Sequence, residues 1–450
     1  MKKRFYSFDS FSLLFYLMIF LAIATYFIPS GAFSRVYDEA IGIRVIIPNS
    51  YKLVQDSPIT FFQFLKAIPM GMMKASRIII FVLLTGGFFE IIQSSNYVNK
   101  LMEYLKFKFY DKRELLIVLL VFVFALSGSI FGTAEEALPL YPLIVSFLQN
   151  IGFDKKSSFS VILLGTGLGF VAGFLNPFTT GIAQQIADLP PFSGIAFRLI
   201  IFLVFFVFTV YYILKNAELH TSQYLMEYKD VSFSTNKKDY LVIAISILSL
   251  LYLIYGSYTR SFKVEDISAI FLFLSITIGL ISGMSPGRIT SEFIKGASFM
   301  AKGALIIGMA NAIIVIMEIT NTLDTVIYGL FHLIKGNNRY LNATFMYISQ
   351  SIINLLIPSG SGQAAATMPI MTNLADLTGV SRQTAVIAFQ FGDGITNIIS
   401  PTSGYLISGL ALTGISWNDW FKKVFPVFII WSVLGLAFVL IACHINIGPY

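Results

Sequence analysis

The sequence has few of the groups that perform covalent chemistry. A single cysteine, Cys443, excludes a disulfide within the chain. The three histidines (His220, His332 and His444) lie far apart and indicate no metal site. The motifs GxxxxGK[ST] and HExxH are absent, so neither an ATPase nor a zinc-dependent hydrolase is indicated. We therefore predict that the protein is not an enzyme and uses no cofactor.

Charged residues are also scarce. They form 12% of the chain, whereas about a quarter of the residues in a soluble domain are charged. Hydrophobic residues make up 56%, in blocks long enough to cross a bilayer, which takes roughly 17–25 residues. The net charge of +7 is typical of basic cytoplasmic loops in a membrane protein and indicates no nucleic-acid partner. The composition predicts an all-α, multi-pass protein of the inner membrane.

We predict about nine transmembrane helices and two re-entrant hairpins. The full spans are 10–30, 75–94, 158–187, 195–215, 240–258, 266–284, 299–320, 382–411 and 424–446. The remaining apolar regions, 114–150 and 341–378, have polar, Gly-rich centres and are too short for two full helices at about 1.5 Å per residue. We expect each to enter the membrane and return to the same side, enclosed by protein or lining a cavity.

The basic residues predict the orientation. With the N-terminus in the cytoplasm, most of the 31 Lys and Arg residues fall on the cytoplasmic side. The first hairpin then opens from the cytoplasm and the second from the outside. Residues 216–239 form a cytoplasmic linker between an N-terminal half, 1–215, and a C-terminal half, 240–450.

The two halves contain related sequences in the same order. SIFGTAEEALP in the first hairpin aligns with SGSGQAAATMP in the second. The matching pairs are Ser129/Ser359, Gly132/Gly362, Ala134/Ala364, Pro139/Pro369, Lys74/Lys302, Glu90/Glu318, Pro177/Pro401 and Thr179/Ser403. An odd number of spans separates the matching helices, so the halves cross the membrane in opposite directions. Such inverted repeats are typical of alternating-access carriers.

A proline in a polar stretch interrupts the long span that follows each hairpin. The stretches are LNPFTT, which contains Asn176, Pro177, Thr179 and Thr180, and NIISPTS, which contains Asn397, Pro401, Thr402 and Ser403. Proline removes a backbone donor and breaks the helix, and the exposed half-helix ends can bind ions and polar groups. A proline kink satisfied by neighbouring hydroxyl groups is the alternative.

The hairpin tips combine glycine with polar side chains. Their candidate ligands are Ser129, Thr133, Ser359, Ser361 and Gln363. Glycine allows the backbone to approach a ligand closely, and hydroxyl groups both donate and accept hydrogen bonds. Close helix packing through small residues is the alternative.

Three acidic residues, Glu135, Glu136 and Asp393, are candidate ligands for a cation. A carboxylate at mid-membrane costs about 2.5–3.5 kcal/mol and is a functional candidate by default. Neither hairpin contains Lys or Arg within the membrane, so the acids suit Na⁺, H⁺ or a cationic substrate. A buried salt bridge to Lys74 or Lys302, or permanent protonation, is the alternative. The nearby Gln184, Gln185 and Gln390 are interpreted as packing or supporting residues.

The segments FGTAEEALPLYPL, GFLNPFTTGIAQ, LLIPSGSGQAAATMPIM and SRQTAVIAFQFGDGITNIISPTSG resemble the YfcC family of the C4-dicarboxylate anaerobic carrier group, within the ion-transporter superfamily that includes the AbgT carriers. The resemblance implies a homodimer in which a scaffold domain supports a moving transport domain of hairpins and broken helices, in an elevator-like cycle. The binding positions that it implies are Ser129, Thr133, Asn176, Thr179, Ser361, Gln363, Asn397, Thr402 and Ser403.

Two transport hypotheses follow. The favoured one is a secondary carrier that exchanges arginine for ornithine, with Glu135, Glu136 or Asp393 binding the positive group. The alternative is Na⁺- or H⁺-coupled uptake of a C4-dicarboxylate or a small peptide. In that case the acids hold the coupling ion, and hydroxyl and amide groups bind the anion.

Overall fold

The computed structural model describes residues 10–39, 42–95, 97, 100, 112–138, 140–218, 237–259, 264–332, 334 and 338–448. The basic N-terminal residues, Pro139 and most of the predicted linker 216–239 lie outside the described residues. Over the described ranges the chain is predominantly helical, with two short pairs of strands.

Helices of the first half surround two irregular turns. They are α1 (Ser10–Ala24), α2 (Phe61–Lys74), α3 (Ser76–Ser94), α4 (Arg113–Phe131), α5 (Leu140–Asn150), α6 (Lys155–Ala172), α7 (Ile182–Ile186) and α8 (Ile195–Lys215). A 3₁₀ turn, Glu135–Ala137, lies between α4 and α5. A π-helical turn, Pro177–Gly181, precedes α7.

The described part of the second half contains nine helices. They are α9 (Lys237–Thr259), α10 (Val264–Ile281), α11 (Pro286–Ile319), α12 (Leu323–His332), α13 (Arg339–Asn354), α14 (Gly360–Thr378), α15 (Arg382–Thr396), α16 (Gly404–Thr413) and α17 (Trp417–His444).

Short strands that were not predicted connect α1 to α2. They are β1 (Gly31–Ala32), β2 (Arg35–Asp38), β3 (Ile43–Ile46) and β4 (Lys52–Leu53), and they pair antiparallel as β1 with β4 and β2 with β3. Nη2 of Arg35 forms an ion pair with Oδ1 of Asp324 at 2.6 Å. The N–H of Phe33 donates to Oδ2 of the same acid. Asp324 therefore fixes this connection to the start of α12.

Several helices have the length and composition of membrane spans. Within the described ranges, seven are long and apolar enough: α3, α4, the unit from Lys155 to Ile186, α8, α10, α11 and α17. The protein is thus a multi-pass membrane protein. The predicted span 240–258 lies in α9, several of whose side chains are outside the described residues, so the seven spans do not test it.

Other predicted spans differ in their limits. The first, 10–30, is a helix that ends at Ala24, and 382–411 is divided into α15 and α16, each too short to cross alone. The predicted span 299–320 is part of a longer helix that begins at Pro286. Ser285 caps that helix by accepting from the N–H of Arg288, and proline is favoured at the first helical position. The added turns are polar, so hydropathy did not reveal them.

Helices α2 and α3 both pack against α11. Gly86 and Gly296 let the backbones of α3 and α11 touch, because a β-carbon on Gly86 would lie 2.8 Å from the carbonyl oxygen of Gly296. Oε1 of Glu318 lies 2.5 Å from Nζ of Lys74, at the junction of α2 and α3. Glu90 pairs with Lys295, also at 2.5 Å. Ion pairs thus connect the two halves.

The repeat alignment matches Lys74 with Lys302 and Glu90 with Glu318, so the equivalent of the Lys74–Glu318 ion pair would be one between Lys302 and Glu90. In the structure Glu90 pairs instead with Lys295, which lies two helical turns before Lys302. The side chain of Lys302 is exposed. The alternative of a salt bridge from Lys74 to the acids of the hairpins is therefore not favoured, since Lys74 pairs with Glu318.

Candidate functional site

The first broken helix is organised by Asn176. Helix α6 ends at Gly173, whose φ of +46° lies in the left-handed region that glycine tolerates. Oδ1 of Asn176 then accepts from the N–H groups of Phe178 (2.9 Å) and Thr179 (3.1 Å). Its Nδ2 donates to the carbonyl of Gly128 in α4 at 3.3 Å. The sequence Asn-Pro thus acts as a helix cap followed by proline at the first helical position.

The tip of the first hairpin rests on this break. Gly132, with φ of +63°, ends α4, and a β-carbon there would lie 2.8 Å from Oδ1 of Asn176. The hydroxyl of Ser129 donates to the carbonyl of Gly169 in α6 at 3.1 Å. The hydroxyl of Thr133 is hydrogen-bonded to that of Ser127. Ser129 therefore packs α4 against α6.

The second broken helix is bound to the second hairpin. Residues 397–403 separate α15 from α16. The hydroxyl of Thr402 donates to the carbonyl of Leu355, just after α13, at 2.9 Å, and lies 2.6 Å from the hydroxyl of Ser400. The hydroxyl of Ser403 is buried, with no hydrogen-bond partner among the described residues.

The broken helices of the two halves cross each other. Gly394 of α15 lies against Val171 of α6, where a β-carbon on the glycine would be 3.0 Å from the Val171 backbone. Nε2 of Gln390 donates to the hydroxyl of Thr179 at 3.0 Å, and its Oε1 lies 2.9 Å from the hydroxyl of Thr180. Gln390, predicted as a supporting residue, joins α15 directly to the first break.

Asp393 lies where these elements meet, and it is fully buried. Its Oδ1 accepts from Nδ2 of Asn397 at 3.1 Å. Its main-chain carbonyl accepts from Nδ2 of Asn354, at the end of α13, also at 3.1 Å. A β-carbon on Gly360, the first residue of α14, would lie 3.1 Å from Oδ2 of Asp393 and would overlap the methyl group of Thr179. Asp393 therefore contacts the second hairpin tip and lies close to the first break.

Three oxygen atoms at this point lack hydrogen-bond donors. They are Oδ2 of Asp393, Oδ1 of Asn354 and Oδ1 of Asn397, each buried and without a partner in the described part of the chain. Buried acceptors of this kind are costly unless a donor or a cation satisfies them. Carboxylate and amide oxygens are suitable ligands for Na⁺ and for a protonated amine or guanidinium. The arrangement can hold a positive charge.

The acids of the first hairpin lie nearby in the 3₁₀ turn. Glu135 is within electrostatic range of Asp393. Glu136 turns back on its own loop, since its Oε2 accepts from the N–H of Ala134 at 3.0 Å. Glu135 therefore adds a carboxyl group near Asp393, whereas Glu136 forms a hydrogen bond within its own loop.

The remaining predicted residues of the second hairpin lie on its returning arm. Nε2 of Gln363 donates to Oε1 of Gln350 in α13 at 2.6 Å. Ser359 caps α14 by accepting from the N–H of Gly362. Ser361 is half-buried in the first turn. Gln363 therefore joins the two arms of the hairpin, and Ser359 caps its returning helix.

Some buried polar residues were not predicted as site residues. Gln350 and Asn354 lie one helical turn apart in α13 and face the site. An amide pair at this spacing in an apolar helix is the signal that could have identified them. Arg198 in α8 is also fully buried. Gln185 is exposed, whereas Gln184 is buried and donates to the carbonyl of Ser193 at 2.8 Å.

Two broken membrane helices that cross at buried polar groups, each covered by a hairpin tip, are the architecture of a membrane transporter. The family profile for the C4-dicarboxylate anaerobic carrier, DcuC, matches residues 8–444. The chain belongs to this family. This assignment confirms the resemblance found in the sequence motifs, and the protein is a transporter and not an enzyme.

Individual relatives cover nearly the whole chain. "Putative basic amino acid antiporter YfcC" of Escherichia coli K12 is 28% identical over 96% of this chain and 94% of its own length. An uncharacterized protein of Haemophilus influenzae is 24% identical over 94% of this chain and 95% of its own length. The crystal structure of the Alcanivorax borkumensis YdaH transporter is similar with a TM-score of 0.45 and 13% identity, over 97% of this chain and 98% of that one.

Proposed function

We propose that this transporter is a secondary carrier that exchanges basic amino acids, arginine for ornithine, at a site around Asp393. The observation that carries the proposal is the buried carboxylate, one oxygen of which has no hydrogen-bond partner among the residues that the structure describes. It lies where the second hairpin tip meets the crossing of the two broken helices. A buried carboxylate is stable only when a positive charge or several donors satisfy it.

A basic amino acid supplies the missing donors. A guanidinium has five N–H groups and an ammonium three. Either can satisfy the free oxygen of Asp393 together with the amide oxygens of Asn354 and Asn397. Because arginine and ornithine carry the same net charge, their exchange moves no charge and needs no ATP. The name of the Escherichia coli relative agrees with a basic amino acid as substrate.

Alternating access is proposed to come from two inverted halves. Val171 contacts Gly394. When the two halves are aligned at Pro177 and Pro401, these two residues occupy the same position in their repeats, with a difference of one residue. An antiparallel crossing at equivalent points supports a twofold axis between the halves. The hairpins 114–150 and 341–378 and the broken helices then form the moving domain, and α2, α3 and α11 belong to the scaffold.

The cellular setting belongs to the same proposal. We place the protein in the inner membrane with its N-terminus in the cytoplasm, as the distribution of basic residues suggests. A homodimer is the assembly that the sequence resemblance implies. In the elevator-like cycle, the moving domain carries the Asp393 site from one side of the membrane to the other.

A second candidate function is ion-coupled uptake of a dicarboxylate. The same three oxygens suit Na⁺, and the family description names C4-dicarboxylates. In this scheme Asp393 would hold the coupling cation, and the hydroxyl groups of Thr179 and Ser403 would contact the anion. The uptake would then depend on a gradient of Na⁺ or H⁺.

Counterflow in proteoliposomes tests both candidates. Purified protein is reconstituted with internal ornithine, and the uptake of labelled arginine is followed without an ion gradient. Parallel vesicles contain buffer only, and a third set receives labelled succinate with an inward Na⁺ or H⁺ gradient. We expect arginine uptake only against internal ornithine. Succinate uptake that requires the gradient and is insensitive to arginine would replace the proposal with the second candidate.

A further inference from the structure

Arg198 is a buried cation that forms no ion pair within the described part of the chain. It lies in the first turns of α8, and only 1% of its surface is exposed. Among the described residues, neither Nε nor Nη2 has a hydrogen-bond partner, and no ion pair forms with it. Intramembrane arginines almost always pair with an acid, a carbonyl or a ligand, because an unpaired buried charge is costly.

The first backbone N–H groups of α8 are further hydrogen-bond donors near Arg198. The first N–H groups of a helix have no partner within the helix, and Gly194, the residue before α8, has no side chain to accept from them. In a helix the side chain leans back over the preceding turn. The guanidinium of Arg198 is therefore directed towards the same helix end. Together these groups form a site of positive potential.

The surroundings of this helix end connect it to the Asp393 site. Ser193 accepts hydrogen bonds from the amides of Gln184 and Gln383, which leaves its hydroxyl hydrogen able to donate. Gln184 follows the π-helical turn of the first break, and Gln383 lies in the first turn of α15. Along α15, the ten residues from Gln383 to Asp393 (393 − 383) correspond to about 15 Å. Gln383, which contacts Ser193 and Gly194 just before α8, thus lies on the same helix as Asp393, about that far from it.

We infer that Arg198 and the N-terminus of α8 bind the carboxylate group of the transported molecule. This inference rests on the proposed function and extends it, because an amino acid carries a carboxylate as well as a positive group. Guanidinium and carboxylate match each other in a two-point contact. The acid end of the substrate would be recognised at Arg198 and the basic end at Asp393.

A comparison of arginine with agmatine, which lacks only the carboxylate, tests the inference. Competition against labelled arginine on the reconstituted protein gives the relative affinity of the two molecules. One charge-assisted contact corresponds to at least about a tenfold preference, so wild-type protein should prefer arginine by that factor. In Arg198→Gln the preference should fall close to one. Arg77→Gln, at an exposed arginine on α3, should keep the wild-type ratio.

Arg198→Lys covers the case in which Arg198→Gln does not fold. Lysine keeps the charge but loses the two-point contact, so the preference should fall a few-fold. An unchanged preference in either variant, with only a lower melting temperature, would overturn the inference and assign Arg198 a structural hydrogen bond, for instance to the free Oε1 of Gln184.

Failure of the proposed function has a different outcome. If wild-type protein binds neither arginine nor agmatine, the substrate proposal fails. The comparison is then made between succinate and its uncharged diamide, and Arg198→Gln should remove the preference for succinate. Equal loss of both succinate and diamide binding, or no change, would overturn the role of Arg198 itself.

Discussion

The backbone of Gly360 lies against the carboxylate of Asp393, so that a β-carbon at residue 360 would stand 3.1 Å from Oδ2 of the acid. The same β-carbon would overlap the methyl group of Thr179. Only glycine allows the second hairpin tip to approach the first break this closely. The second hairpin tip, the first broken helix and the carboxylate of Asp393 thus lie within a few ångströms of one another at Gly360.

We predict that Gly360→Ala lowers the rate of counterflow at least tenfold, because the added methyl group holds the hairpin tip away from Thr179 and Asp393. Initial rates in proteoliposomes, normalised to protein content, measure the effect. Gly287→Ala is the control, since no atom lies within 4 Å of a β-carbon built there. A wild-type rate in Gly360→Ala would show that the tip does not close on the site during transport.

Reversal of the Lys74–Glu318 pair tests how the halves pack. Each single change, Lys74→Glu or Glu318→Lys, places like charges together at the junction of α2, α3 and α11 and should lower the melting temperature. The double variant restores an opposite pair and should recover most of the loss. Because both side chains are partly exposed, the coupling should be about 1 kcal/mol or less. Additive losses in the double variant would contradict the pairing.

Asn176→Ala removes the cap of the first break. We predict a loss of about 1–3 kcal/mol, since two N–H groups lose their acceptor and the carbonyl of Gly128 loses its donor. Thermal unfolding in detergent measures the change. Asn418→Ala, at an exposed position in α17, should have little effect. Equal stability of both variants would show that the break does not depend on this side chain.

Asp154 gives the protein a defined pH dependence outside the membrane spans. It caps α6 by accepting from the N–H groups of Lys156 and Ser157, and also from that of Glu218. Burial alone would raise the pKa of Asp154, but these hydrogen bonds and the charge of Lys423 hold the pKa below its ordinary value of 3.8. The folded state therefore binds this proton less readily than the unfolded state.

A depressed folded pKa means that Asp154 stabilises the fold above about pH 4 and loses this contribution as the pH falls through the folded value. We predict that Asp154→Asn, which keeps the cap but removes the charge, melts at a lower temperature than wild type at pH 7. The difference should shrink as the pH falls below about 4. Melting curves of both proteins from pH 3 to 7 check this, and a difference that grows on acidification would contradict it.

Local features of the site could be predicted from the sequence. Asn176 and Pro177 form a cap and a first helical residue, and Pro401 follows a polar stretch, so both breaks are recognisable without tertiary information. Helix α2 was missed because residues 61–74 are amphipathic and too short to cross a membrane. Its capping box, Thr60 with Gln63, is a local signal that identifies it in retrospect.

Tertiary relationships could not be predicted in the same way. The sequence places Gln350, Gln390 and Arg198 in apolar helices, but only the packing determines which of them are buried and which partners they meet. Gln390 was interpreted as a packing or supporting residue, and its contact with Thr179 joins residues half a chain apart, which the sequence does not reveal. Arg198 lies in the predicted span 195–215 but was not identified as a site residue, since its burial depends on neighbouring helices.

The binding of arginine to Asp393→Asn tests the central claim most directly. The variant keeps the shape of the side chain but removes its charge, and Asp419→Asn, at an exposed acid in α17, is the control. We predict that affinity for arginine, measured by equilibrium binding to purified protein, falls at least about 30-fold in Asp393→Asn and is unchanged in Asp419→Asn. Wild-type affinity in a folded Asp393→Asn protein would show that the positive group of the substrate binds elsewhere.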